Sequence, residues 1–386
     1  MARRERASPD LVNRARDTIR RLHSSPLRAV ADRLEPLLAD VERCHRPGHL
    51  PHDGLLALAN YISFLGQKLP QTFGDRFRFD AGMIQAICSQ WGDAARFPRT
   101  VVPCHERDWG HERIDMPSED GERLHVIHLV LFPGRDDLAD VDLLAYPWIA
   151  HELGHNLLSR NEGLFSEPMT SSVNGVLSGL RLAAIADRGA AKARSQAGID
   201  DLTAVWTPCP DHNDWAHEIA ADVIALWTCG PAFIAAFEDV IEAHDINPFH
   251  VGQRHPPYSI RLQVLMKGAR ELRWCQELAK AENIAAAWKR KKPQSAQESN
   301  RLLLLSDERL IDAAVRRAFE LCRALRLPPA TPAGVAKLRS EGAGRVDECG
   351  SDVLLLAWAK HQELDHTAYE TWEKNLVAEL ASAVTL

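Results

Sequence analysis

Between Ile219 and Phe237 the chain is almost entirely apolar, interrupted mainly by Asp222 and by the Gly230-Pro231 pair. An unbroken apolar run of about 20 residues would suit a membrane span. Here a charged residue near the start and a Gly-Pro pair in the middle break it. The segment reads as two buried helices, 212–228 and 231–243, meeting at a turn. Such a pair must be covered by other elements. With 386 residues, 45% hydrophobic and 26% charged, the chain has the length and the composition to build that core and is not a disordered polymer.

Charge and cysteine usage narrow the class further. A formal net charge of −7 does not suit a dedicated nucleic-acid binder, so no nucleic-acid partner is expected. Eight cysteines are scattered with no CxxC pair, which fits reduced, mostly buried thiols in a cytoplasmic protein. The basic start, MARRERASPDLVNRARDTIRRL, is followed by no apolar stretch, so it does not read as a secretory signal. No membrane partner is expected.

Along the chain, Leu27, Val30, Leu34, Leu37, Leu38 and Val41 form a helical stripe. Residues 45–51 read as a turn, with a second helix from about Gly54. Residues 97–121 are polar and without a sustained period; Cys104, His105, Asp108 and His111 within them read as part of a solvated loop. The segment 123–133, RLHVIHLVLFP, reads as a strand, with an edge that could pair with an extended peptide. Helices are expected over 173–196 and 257–288, and a polar linker over 289–300.

The most informative segment is AYPWIAHELGHNLLSR, which contains His151-Glu152-Leu153-Gly154-His155. Residues four apart on a helix differ by about 40° around its axis, so both imidazoles can grip one ion. Glu152 borders the same face, within reach of a water held there. A catalytic zinc needs a third protein ligand, and no His follows six residues after His155. The better source is DWAHEIAADVIALW, where Glu218 and Asp222 share one helical face. Glu162 and Glu167 are the rival ligands, nearer in sequence, and His217 reads as a bystander.

This order resembles the gluzincins, zinc peptidases in which HExxH is followed by a Glu on a second helix, often as ExxxD. The resemblance implies one zinc per chain held by His151, His155 and Glu218, with Asp222 as acceptor for a ligand imidazole. Residues 255–261, His-Pro-Pro-Tyr-Ser-Ile-Arg, add an HPxxxxR pattern similar to that of the CaaX-prenyl-protease and HtpX group. In that group the His and Arg border the active site, which makes His255 and Arg261 catalytic candidates beside Glu152. Tyr258 is a further oxyanion donor, while a salt bridge to a core carboxylate is the competing role for Arg261. The resemblance covers about residues 120–265. It lacks that group's membrane helices, so prenylated substrates do not follow.

The expectation is therefore an α+β, predominantly helical protein: a helical region over 1–119, a zincin-like core with a short β-sheet and an active-site helix over 120–290, and a helical region over 300–386 that moves as a unit and either narrows access to the zinc or docks a regulatory protein partner that opens it. The expected activity is zinc-dependent hydrolysis of peptide or protein substrates, with Glu152 as general base. The alternative is a partner-gated or inactive regulatory protein whose zinc site is dormant or structural.

Overall fold

The computed structural model describes residues 9–23, 28–43, 74–92, 101–106, 110–116, 125–133, 138–185, 188–209, 214–243, 247–252, 255–291, 293, 295–341 and 350–383. The chain is predominantly helical. It divides into two compact units: Met1–Gln85 with Phe97–Val141 and Lys374–Leu386, and Ala86–Arg96 with Asp142–Glu373.

In the first unit, α1 (Pro9–His23) and α2 (Arg28–Arg43) pack on each other. Ala31, Leu34 and Leu38 are buried on α2, and Ala15 and Ile19 on α1, the three-to-four residue spacing of an apolar helix face. The turn expected at 45–51 and the helix expected from Gly54 lie outside the described residues. Helix α3 (Asp75–Trp91) contributes to both units.

The same unit holds a three-stranded sheet of β1 (Val101–Glu106), β2 (Gly110–Met116) and β3 (His125–Pro133), in the order β1-β3-β2. β1 runs parallel to β3, with Cys104 opposite Leu131; β2 runs antiparallel, with His111 opposite Val130. Two expectations are corrected here. The polar stretch 97–121 contains two strands, because strand formation rests on cross-strand partners that a local period does not reveal. And β3 is the central strand, hydrogen-bonded on both sides, so it offers no edge to an extended peptide.

The second unit is built around α7 (Trp215–Cys229). Before it come α4 (Trp148–Arg160), α5 (Ser166–Ala184) and α6 (Ala190–Trp206). After it come α8 (Pro231–Ala243), α9 (Tyr258–Glu271), α10 (Ala279–Arg290), α11 (Ala296–Leu305), α12 (Glu308–Ala324), α13 (Pro332–Glu341) and α14 (Gly350–Glu363); α15 (His366–Ala383) starts in this unit and from Lys374 on belongs to the first. Every residue of α7 is buried, as a helix apolar on all sides must be. It touches α4, α6, α8, α9, α12 and α14. The turn to α8 is made by Gly230 at φ +53, where a Cβ would come within 2.9 Å of the Ala330 Cβ. Pro231, with no N–H to lose, then opens α8.

Other boundaries differ from the expected ones. Gly189, at φ +56, separates α5 from α6 inside the stretch read as one helix. The long helix expected over 257–288 is broken after Glu271. There Arg273 takes φ 68, its N–H bonds the Arg270 carbonyl, and the Trp274 N–H bonds that of Ala269. This is a Schellman ending, and it drops Trp274 into the core.

The compact units do not follow the expected division at 1–119, 120–290 and 300–386. Residues 300–373 belong to the same unit as α4 and α7. Trp227 Nε1 donates to the Leu327 carbonyl at 2.9 Å, and the Ala330 N–H donates to the Trp227 carbonyl at 2.7 Å. A region bonded this way to the central helix is a wall of the core rather than a hinged flap. Among the described residues no helix is long and apolar enough to cross a membrane.

Candidate metal centre

Helices α4 and α7 meet at Gly154 and Ala221. A Cβ added to Gly154 would lie 3.2 Å from the Ala221 Cα, so the crossing requires the missing side chain. Both helices place their polar residues identically about this point: His151 and His155 stand three before and one after Gly154, and Glu218 and Asp222 three before and one after Ala221. The close approach thereby brings two imidazoles and two carboxylates together inside an apolar interior.

The three expected ligands converge. His155 Nε2 lies 3.2 Å from His151 Nε2 and 3.3 Å from Glu218 Oε1, and His151 Nε2 lies 3.7 Å from Glu218 Oε2. A tetrahedral ion with bonds of about 2.1 Å holds its ligand atoms about 3.4 Å apart. The triangle matches that requirement, and all three side chains are buried. Glu162 and Glu167 are not in the group; they line an open surface cavity of about 580 Å³ with Ser159, Arg160, Asn161, Gly163 and Leu164.

Around the triangle, His151 Nδ1 lies 3.0 Å from Asp222 Oδ1, close enough for an ion pair but not in line for a well-directed hydrogen bond. Arg261 spends its guanidinium on the same carboxylate: Nε donates to Asp222 Oδ2 at 2.8 Å and Nη2 to Oδ1 at 2.6 Å. The rings of Phe237, Trp148 and Tyr258 surround it at 5.3, 5.6 and 5.9 Å. Of the two roles open to Arg261, this geometry is that of the buried salt bridge. Tyr258 packs its ring on Phe237, 5.6 Å between centroids. His255 differs from its neighbours: its side chain is 66% exposed, yet Nδ1 reaches within 3.1 Å of Glu218 Oε2.

These contacts set the protonation states. Burial raises the Glu218 and Asp222 carboxyls, but His155, His255 and His151 around Glu218, and Arg261 beside Asp222, outweigh it and hold both below the ordinary range. Burial lowers His151, and Asp222 more than restores it. Glu152 is the exception: desolvation, with Glu218 adding to it, pushes it up to about 7 against the opposing pull of His151. A carboxyl near neutrality exchanges a proton readily.

Sequence reasoning missed the aromatic box around Arg261, whose members come from three helices. It also missed Asn156, buried one turn beyond Glu152 with neither amide atom hydrogen-bonded. Comparison of the chain with protein-family models, with curated proteins and with solved structures finds no match to any of them.

Proposed function

We propose that the protein is a zinc-dependent metallopeptidase of the gluzincin type, acting on peptide or protein substrates. The observation that carries this reading is the buried triangle of His151 Nε2, His155 Nε2 and Glu218 with a tetrahedral ion's spacing. Two imidazoles and one carboxylate are the donor set of a catalytic zinc, and a site of purely structural use has no need of a carboxyl base beside it. Zinc, when bound, supplies a Lewis acid that polarises the scissile carbonyl and makes water a stronger acid.

The chain's own residues do the rest. Glu152 takes a proton from the attacking water and passes it to the leaving amine, a task for which a value near 7 is suited. Asp222, kept ionised by Arg261, faces His151 Nδ1 and so directs Nε2 toward the ligand triangle. Arg261 is thereby a positioning residue. His255 is the polar group that opens to solvent, so it is the one that meets the substrate and the developing oxyanion.

The test pairs metal content with cleavage. Wild type should carry about one zinc per chain and cleave members of a peptide library. Glu152→Gln should keep the zinc while losing about 10² to 10⁴-fold in rate, because an amide accepts no proton. Unchanged turnover in zinc-loaded Glu152→Gln overturns the mechanism, and full zinc retention in Glu218→Ala removes Glu218 from the ligand set.

A further inference from the structure

His217 stands next to Glu218 in sequence, but consecutive helical residues point about 100° apart, and its ring takes no part in the ligand triangle. It lies instead between Asp214 and Ser166. His217 Nδ1 is 2.6 Å from Asp214 Oδ2 and Nε2 is 3.1 Å from Ser166 Oγ. An ionised carboxylate only accepts, so Nδ1 carries a proton, and in the neutral imidazole Nε2 is then the acceptor for the Ser166 hydroxyl. Asp214 is also the N-cap of α7: Oδ1 accepts the His217 N–H at 3.0 Å, and Oδ2 accepts the Cys209 N–H at 3.0 Å. The Phe165 ring closes over the imidazole at 5.4 Å.

The three residues have the order of a hydrolytic relay, but a relay must bring its imidazole edge to a leaving group, and His217 has no exposed surface. Their placement has a different consequence. Ser166 opens α5, six residues after Arg160, the last residue of the helix that carries His151 and His155. His217 sits in the first turn of α7, beside Glu218. The hydroxyl–imidazole–carboxylate chain therefore ties the segment leaving one ligand helix to the turn that presents the third ligand. It fastens the start of α5, the helix that follows α4 in the chain, to α7, at a point separate from the Gly154–Ala221 crossing.

We infer that the Ser166–His217–Asp214 chain is a clamp that sets the position of Glu218 relative to His151 and His155, and so sets metal affinity. The inference rests on the metal-binding reading above. Positioning groups behind metal ligands change affinity by about 10 to 100-fold. Truncating His217 would leave a hole in the core and unfold part of the unit, so the informative variants are at Ser166. Ser166→Ala removes the donor while Ala suits a helix's first turn, and Ser166→Thr keeps a hydroxyl.

The experiment measures zinc affinity of the full-length chain by competition with a chromophoric chelator, and thermal stability of the metal-free protein in parallel. Ser166→Ala should bind zinc about tenfold more weakly while the metal-free protein stays folded, with a modest loss of stability for the buried Nε2 left without its donor, and Ser166→Thr should recover most of the affinity. Ser166→Ala with wild-type affinity overturns the clamp while leaving the metal site standing. So does a loss that Ser166→Thr fails to restore. A wild-type chain that takes up no zinc overturns the metal-binding reading itself, and the clamp with it.

Discussion

Glu218 and Glu238 lie twenty residues apart on the adjoining helices α7 and α8, and both are 4% exposed. Their surroundings differ. Glu218 has His155, His255, His151 and Arg261 about it, and these overcome the cost of burial and keep it ionised. Among the described residues Glu238 has as its cationic neighbour only Lys280, 3.8 Å away and shared with Asp239 and Glu242. Desolvation consequently raises its carboxyl to about 7. Burial by itself protonates an acid; an acid kept charged in an apolar interior has been supplied with partners. That contrast separates a carboxylate equipped to hold a cation from one merely enclosed by the fold.

The contrast breaks most severely at Arg261. Replacing it by Met leaves Asp222 buried without its bidentate partner, a loss on the order of 3–5 kcal/mol in chemical denaturation of the metal-free protein. A loss below about 1 kcal/mol would mean that Asp222 does not depend on the guanidinium. The two glutamates themselves give the next test. Glu218→Gln should weaken zinc binding by about 100-fold, about 2.7 kcal/mol, and Glu238→Gln should leave it unchanged, both read by chelator competition. Equal effects would erase the distinction drawn between them.

Gly154→Ala asks whether the charged cluster depends on the helix crossing. The new methyl meets the Ala221 backbone at 3.2 Å, so the helices must separate by a few tenths of an ångström. An expected cost of about 1–2 kcal/mol should come with weaker zinc binding. Destabilisation with unaltered zinc affinity would show that the ligands tolerate the shift.

The smallest effect concerns pH. A carboxyl whose folded pKa is raised, as Glu238's is from 4.5 to about 7, adds stability that is fully present below 4.5. That contribution is lost as pH rises through about 7. Glu238→Gln should therefore remove part of the fall in stability between pH 4.5 and 7, and gain about 1 kcal/mol over wild type at pH 8. Parallel stability–pH curves for the two proteins would assign that fall to other groups.

Much of the candidate site was legible along the chain. The i, i+4 spacing places His151 with His155 and Glu218 with Asp222 whatever surrounds them, because a helix's repeat is a local property. The apolar run from Ile219 to Phe237, broken at Gly230-Pro231, likewise marked two buried helices and the turn between them, and the structure bears that out at 215–229 and 231–243. Helix endings were less visible. Arg273 and Arg326 take the left-handed conformation usually signalled by glycine, and what holds each there is the burial of the next residue, Trp274 and Leu327.

Pairings across distance were decided by the tertiary structure alone. β1 and β2 became strands because β3 offers each of them a partner, and that same arrangement leaves β3 no edge. Arg261 was one candidate among several from its HPxxxxR position. It became the partner of Asp222 once packing brought α9 against α7 and left that carboxylate no other full compensation. The sequence by itself determined which residues share a helix face, through a period of 3.6 residues. Which face meets which is set by close packing over the whole unit, where the absence of one side chain at Gly154 lets four charged or ionisable groups meet around a single point.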